Sequence, residues 1–308
     1  MLSMQSMEKP LNLKMKKKLI SSDAIMPKLL FLFGMLSILT TVGIVLILLL
    51  ESGKFFAKVP IWEFFTGTKW TPLFNDPQFG VLPLIVGSLM VTLIASIVAL
   101  PIGIGSAIYL SEYAPQKVRS FLKPVLEILA GVPTIVYGFF ALTFVTPIIR
   151  YLLPQTDMFN ALSAGIVVGI MIVPMISSLS EDAMAAVPQS LRNAAYALGS
   201  TKLEVSTKIV VPAAFSGIVA SCVLGLSRAI GETMIVTLAA GALPNMSFNP
   251  LKSIETLTAY IVSVSSGDTT YGSVEYLTIY AVGITLFALT LGMNIIAGYI
   301  ARKFREEY

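Results

Sequence analysis

The chain contains no histidine and a single cysteine. Histidine general acid–base chemistry, histidine metal sites and a histidine haem ligand are therefore excluded. Cys222 can form neither an internal disulfide nor a cysteine cluster, and within its apolar run it reads as a small packing residue. No G-x-x-x-x-G-K-[ST] phosphate-binding loop occurs anywhere, and no cofactor is expected on this chain. Charge is scarce as well: 12% of the 308 residues, against about 25% in soluble domains. Apolar residues are abundant instead, at 56%, with a mean hydropathy of +0.83. Such a chain is an integral membrane protein. Its net charge of +4 then reflects basic residues that set topology rather than a nucleic-acid partner.

Six apolar stretches reach the roughly 20 residues that a bilayer-crossing helix needs. They are 29–50, 81–110, 125–149, 159–179, 209–242 and 274–300. Only helices and closed barrels satisfy the backbone in lipid, and the alternating pattern of a membrane barrel is absent. The expected fold class is all-α: a polytopic membrane protein of six transmembrane helices. One transmembrane domain at 29–301 lies between a basic cytoplasmic tail at 1–28 and a cytoplasmic tail at 302–308. The first stretch follows Lys14, Lys16, Lys17 and Lys18, as a signal peptide would. It exceeds a signal core of about 7–15 residues and has no small-residue cleavage site, so it reads as an uncleaved anchor. With the N-terminus inside, the inner segments hold 15 lysines and arginines and the outer segments 5, Arg228 being in neither. Both termini are expected in the cytoplasm, at the cell membrane, with the basic N-terminal tail at anionic lipid headgroups.

The outer segments differ in character. Residues 51–80 carry Phe55, Phe56, Trp62, Phe64, Phe65, Trp70, Phe74 and Phe79. An aromatic belt at the headgroups is the favoured reading, with a docking surface as the alternative. Residues 244–272 begin with Pro244, Asn245, Asn249 and Pro250 and are expected to hold a short helix near Ile254–Val264. This segment is a second docking candidate.

The most informative charges are Arg228 and Glu232, with Thr233 beside them, inside the apolar run Ile209 to Ala242. A charge near the middle of a span costs roughly 2.5–3.5 kcal/mol on insertion scales, and such residues are functional by default. On one helix their spacing lets the side chains meet. One reading is then a buried salt bridge that neutralises the pair. The other is an anion pathway. Arginine stays charged and offers a planar fork of donors to an oxyanion. Phosphate at neutral pH keeps a hydroxyl proton that an ionised Glu232 can accept, and sulfate does not. Alternatively, Glu232 tunes Arg228 so that the anion is released. Gly231 and Gly225 allow close approach or a bend, and Gly165 and Gly169 form a small-xxx-small pattern that reads as helix packing. Pro101, Pro133 and Pro174 are expected to bend their helices. Gly103-Ile-Gly105 lies in a span without a third glycine and is no dinucleotide site.

The segment 181–208 is expected on the cytoplasmic side. Pro188 suits a helix start; Leu191, Ala194, Ala195 and Leu198 fall at helical spacings; Gly199 marks the helix end. Thr201 and Glu204 form a capping box that opens a second helix. The apolar residues make one stripe, with Gln189, Arg192 and Asn193 on a polar back. Spacing leaves two readings open: a helix lying on lipid, or a knob that fits another protein.

Asn193-Ala194-Ala195, three residues, Gly199, nine residues, then Ile209, any residue, Val211-Pro212 resembles the EAA loop of ABC importer permeases. Asn193 stands where that family has glutamate, and Val211 where it has leucine. The segments LSEYAP (110–115), LAGVPTIVYGFF (129–140) and SRAIGETMIVT (227–237) are similar to the phosphate-specific permease of the Pst system, closer to its PstC-type subunit than to PstA. The resemblance implies a type I ABC importer permease that translocates inorganic phosphate and is not an enzyme. It implies that Leu191, Asn193, Ala194, Ala195, Leu198 and Gly199 couple to an ATP-binding cassette subunit, in two copies. That subunit would use ATP and Mg. It implies also a PstA-like sister permease and an extracytoplasmic phosphate-binding protein. Within this class, another oxyanion such as molybdate or sulfate, or the sister subunit, is the alternative. A stand-alone anion channel or secondary transporter leaves residues 181–208 without a role, and a membrane enzyme lacks a nucleophile–base cluster.

Overall fold

The computed structural model describes residues 13–267 and 269–303, with side chains from Ile25 onward. Of the expected cytoplasmic tails, residues 1–12 and 304–308 lie outside the described residues, as does Asp268 in the second outer segment. Among the described residues the regular elements are helices, with one isolated antiparallel bridge between Trp70 and Phe79.

The chain divides into two units, residues 1–50 and 51–308. Among the described residues, the first is helix α1, Leu13–Phe56, as far as Leu50. None of residues 25–50 is buried, and apolar side chains cover every side of the helix, with Phe31 72%, Ile38 66% and Leu50 67% exposed. A helix without a polar face suits lipid or another apolar surface on all sides.

The second unit begins with the short α2 (Ile61–Thr66) and the long α3 (Leu82–Ile108), which runs on through a π turn at Tyr109–Tyr113. Then come α4 (Gln116–Ala130), α5 (Thr134–Leu152) and α6 (Ala161–Ala185). Next are α7 (Gln189–Ala197), α8 (Lys202–Ala213), α9 (Phe215–Ile230) and α10 (Met234–Ala239). The helices α11 (Leu257–Ser265) and α12 (Val274–Lys303) complete it. Among the described residues five helices are long and apolar enough to cross a membrane, or six if the bent pair α8–α9 counts as one span.

Two expected spans are not single helices. The run 125–149 joins two helices that meet at Gly131-Val132-Pro133. Pro133 has no N–H and restricts the residue before it, so it starts α5 rather than bending a helix from within. The α4 helix has a polar side with Arg119 and Lys123 and buries none of its residues; α5 is the crossing helix. The run 209–242 is broken twice. It bends by 71° at Ala214, two residues after Pro212, and stops at Gly231 before α10 begins. Hydropathy reports burial in lipid, and it does not change where a helix turns. Pro101 and Pro174 do lie inside α3 and α6.

The core is the pair α3–α6. A Cβ on Gly165 would lie 2.6 Å from Ile94 Cβ, and one on Gly169 2.9 Å from Val98 Cβ. Glycines here let two backbones approach and gain dispersion where hydrophobic collapse cannot act. Gly225 likewise admits Ile176 of α6 against α9, at 2.7 Å from its would-be Cβ. A second cluster gathers Phe55, Phe64, Trp70, Leu257, Tyr260 and Leu277. The aromatic segment 51–80 thus splits: Phe55, Phe64 and Trp70 are buried and pack edge to face, whereas Trp62 and Phe74 are exposed. The buried three belong to no headgroup belt.

The segment between α10 and α11 has no helix until Leu257, close to the expected start. It is pinned to the start of α6: Asp157 N–H donates to Leu251 O (2.9 Å) and Leu162 N–H to Pro250 O (2.8 Å). Lys252 pairs with Asp157 at 3.2 Å, and Asn160 caps α6 by accepting from Ser163 N–H at 2.8 Å.

Candidate functional site: a broken helix and a clamped loop

Arg228 lies in the last turn of α9, and Gly231 caps that helix. The chain then turns through Glu232 and Thr233 before α10. The two charges are therefore not on one continuous helix, and they form no ion pair. Glu232 is 7% exposed and points forward: Met234 N–H donates to its Oε1 at 3.1 Å and Ile235 N–H at 3.4 Å. It satisfies the free N–H groups that open α10, as a capping side chain does. Thr233 Oγ1 donates back to Gly231 O at 3.2 Å, and Thr258 Oγ1 of α11 donates to Glu232 O at 2.7 Å. The break is thus held by side chains and not left loose.

Arg228 is exposed in this chain, and its hydrogen bond is a weak one to Met171 Sδ at 3.9 Å. Ala220, Leu224 and Arg228, four residues apart, share the exposed face of α9. Next to Arg228, Ser227 Oγ donates to Asn294 Oδ1 of α12 at 2.8 Å. Asn294 was not singled out by the sequence, although an amide in the apolar run 274–300 is the signal that could have found it. Among the described residues this guanidinium has no carboxylate partner, and its planar fork of five donors has the chemistry to receive an oxyanion.

The loop between α6 and α9 has the expected local form. Pro188 precedes α7, and Gly199 has φ +84° at its end. Gly199 N–H donates to Tyr196 O and Ser200 N–H to Ala195 O, the paired bonds of a Schellman turn. Thr201 and Glu204 make the capping box. The stripe, however, is rotated. Ala195 is buried and Leu191 half-buried, but Ala194 and Asn193 are exposed and Leu198 is 88% exposed. The face turned inward includes Arg192, which hydropathy had put on the polar back.

Arg192 is 7% exposed and fully engaged. It donates to Glu112 Oε1 at 2.9 Å, Met184 O at 2.8 Å and Val187 O at 2.5 Å. It therefore clamps α7 both to the C-terminal end of α6, at Met184 and the Val187 that follows it, and to the π turn that ends α3. Beside it, Arg119 pairs with Glu181, and Lys123 with Glu181 (2.8 Å) and Asp182 (2.6 Å), tying α4 to α6. The Asp182 carboxylate first, and then Glu181, hold the Lys123 ammonium above its ordinary value. No three His, Cys, Asp or Glu side chains gather as a metal site among the described residues.

Membrane helices packed through glycines, one of them broken beside an outward arginine, and a clamped helix–turn–helix with exposed leucines define a transporter's membrane subunit rather than an enzyme. The chain belongs to the binding-protein-dependent transport system inner membrane components, whose family model matches residues 99–306. It is 39% identical over 241 residues to a probable ABC transporter permease, YqgH, of Bacillus subtilis, covering 78% of each chain. It is 35% identical over 266 residues to the phosphate transport system permease PstC of Xylella fastidiosa, covering 80% of each. Among solved structures it superposes on a chain of a bacterial ABC transporter that imports alginate, with TM-score 0.63 and 14% identity, over 93% of this chain and 99% of that one. A chain of the MetNI methionine ABC transporter in an inward-facing conformation matches with TM-score 0.57 and 18% identity, over 73% and 96%. The fold is that of a type I ABC importer permease.

Proposed function

We propose that this chain is the PstC-type permease subunit of an ATP-driven importer of inorganic phosphate, with Arg228 in the anion's path. The single observation that carries the reading is an arginine without a carboxylate partner among the described residues, set on an exposed face where a membrane helix breaks. Similarity to PstC at 35% identity over 80% of the chain supports phosphate as the substrate. In this reading the exposed face of α9 meets a PstA-like sister permease, and Arg228 lines the space between them. Glu232 holds the break through Oε1 and leaves Oε2 for the proton of a phosphate hydroxyl. Thr233 adds a hydroxyl at the same turn.

Both termini lie in the cytoplasm, and residues 181–208 meet two ATP-binding cassette subunits, which use ATP and Mg. Leu191, Asn193, Ala194, Ala195, Leu198 and Gly199 form the coupling element, with exposed Leu198 as the apolar knob. Segments 51–80 and 244–272 face an extracytoplasmic phosphate-binding protein. A solved relative in fold was captured with a substrate-bound periplasmic protein, which supports a partner of that kind.

The test is radiolabelled phosphate uptake by the reconstituted complex, with sulfate and molybdate as competitors. Arg228→Gln is expected to lower phosphate uptake at least tenfold while the complex still assembles. Uptake at the parent rate, or competition by sulfate at equal concentration, refutes the reading.

A further inference from the structure

Between the 51–80 segment and α11 lies a cavity of about 210 Å³ lined by Trp70, Thr71, Phe74, Glu255, Tyr260 and Ser263, among others. Glu255 is the only charged residue that lines it, is 5% exposed, and has no hydrogen bond or ion pair among the described residues. Trp70 is 1% exposed, and its indole Nε1–H has no partner either. The Trp70 and Tyr260 rings meet edge to face with centroids 4.9 Å apart. Buried carboxylates are ordinarily paired, and a buried donor without an acceptor is uncommon. An unpaired buried carboxyl on a small cavity walled by aromatic rings describes a site completed from outside.

We propose that this cavity is a socket for one lysine or arginine side chain of the importer's extracytoplasmic binding protein. The inference rests on the reading above for the partner's identity, but not on the substrate. Charge complementarity selects the occupant: an entering cation favours the ionised form of the unpaired Glu255 carboxyl and is held by it, whereas the phosphate that the transporter carries is disfavoured there. Aromatic walls add cation–π attraction, best with tryptophan and tyrosine. The volume suits a single side chain, not a helix.

The socket is wired to the broken helix. Three residues after Glu255, Thr258 Oγ1 holds Glu232 O at 2.7 Å. Glu255 O itself sits against α3, where a Cβ on Gly87 would lie 2.3 Å from it. A cation drawn to Glu255 therefore pulls on the segment that fixes the break next to Arg228. Docking and the opening of the anion path share one short stretch of chain.

The test uses the complete transporter in liposomes, titrated with phosphate-loaded binding protein while ATP hydrolysis is followed. Glu255→Gln, which keeps shape and removes charge, is expected to raise the half-saturating concentration of binding protein about tenfold, and Trp70→Phe less. In the parent, n-butylammonium is expected to raise the half-saturating concentration too, whereas n-butanol is not; in Glu255→Gln both are without effect. A half-saturation within twofold of the parent in Glu255→Gln overturns the socket. So does a parent that n-butylammonium and n-butanol affect alike. If the parent carries another oxyanion with its own binding protein and Glu255→Gln still shifts half-saturation, the phosphate reading fails and the socket stands.

Discussion

Replacing Arg192 by glutamine tests how the loop 181–208 is held to the membrane helices. In the parent, Arg192 and Glu112 form an ion pair with side-chain exposures of 9% and 6%. Removing one partner of a buried pair leaves the other charge unpaired, which costs about 3–5 kcal/mol. The Met184 and Val187 carbonyls lose donors too, at about 1 kcal/mol each. They lie at a helix end and regain water, so they add little, and about 4 kcal/mol, the middle of the ion-pair range, is the expected cost. Each 1.4 kcal/mol is about tenfold in an equilibrium constant, so local opening of α7 should rise about a thousandfold. Hydrogen exchange of the assembled complex reads this directly, as lost protection over residues 189–198 with protection in α3 and α6 retained. Glu112→Gln combined with Arg192→Gln removes the orphaned charge and should restore most of the protection. Unchanged exchange in Arg192→Gln, or a double variant as open as the single one, refutes the clamp.

Two further predictions concern backbone and charge. Gly199 has φ +84° with open space around its would-be Cβ, so Gly199→Val meets backbone strain alone, about 1–2 kcal/mol; assembly should survive while ATP hydrolysis proceeds with little transport, and full transport would refute the coupling role. Burial pushes the Glu255 carboxyl from 4.5 to about 7. The folded chain thus keeps a proton that the unfolded chain releases, so folding loses stability as pH rises from 4.5 to 7, by about 3 kcal/mol above that window. Glu255→Gln should therefore melt higher than the parent at pH 8 and equally at pH 4.5. Equal melting at both values would mean that the carboxyl is already paired.

What could be read from the sequence was local. Gly199, the Thr201–Glu204 capping box and the short helix at Leu257 follow from contacts within a few residues, and each lies where its residues indicate. Gly165 and Gly169 also read correctly as packing residues, since small side chains at one-turn spacing have few other uses in a span. The stripe on α7 failed because hydropathy assigns arginine outward. Glu112, eighty residues earlier, turns it inward. Glu255 carried no sequence signal at all, since a glutamate in an outer loop is ordinarily solvated.

Composition alone made this chain a membrane protein, because a chain so poor in charge and so rich in apolar residues can satisfy itself only in lipid. The run of apolar residues around Arg228 likewise marked that position, because a charge there has no solvent to repay its burial. Only the tertiary structure decided that Arg228 and Glu232 part company. A glycine stop between them sends one side chain to an open face and gives the other to the backbone of α10. Ion pairing depends on the direction of two side chains in space, and sequence distance constrains direction only while the helix continues.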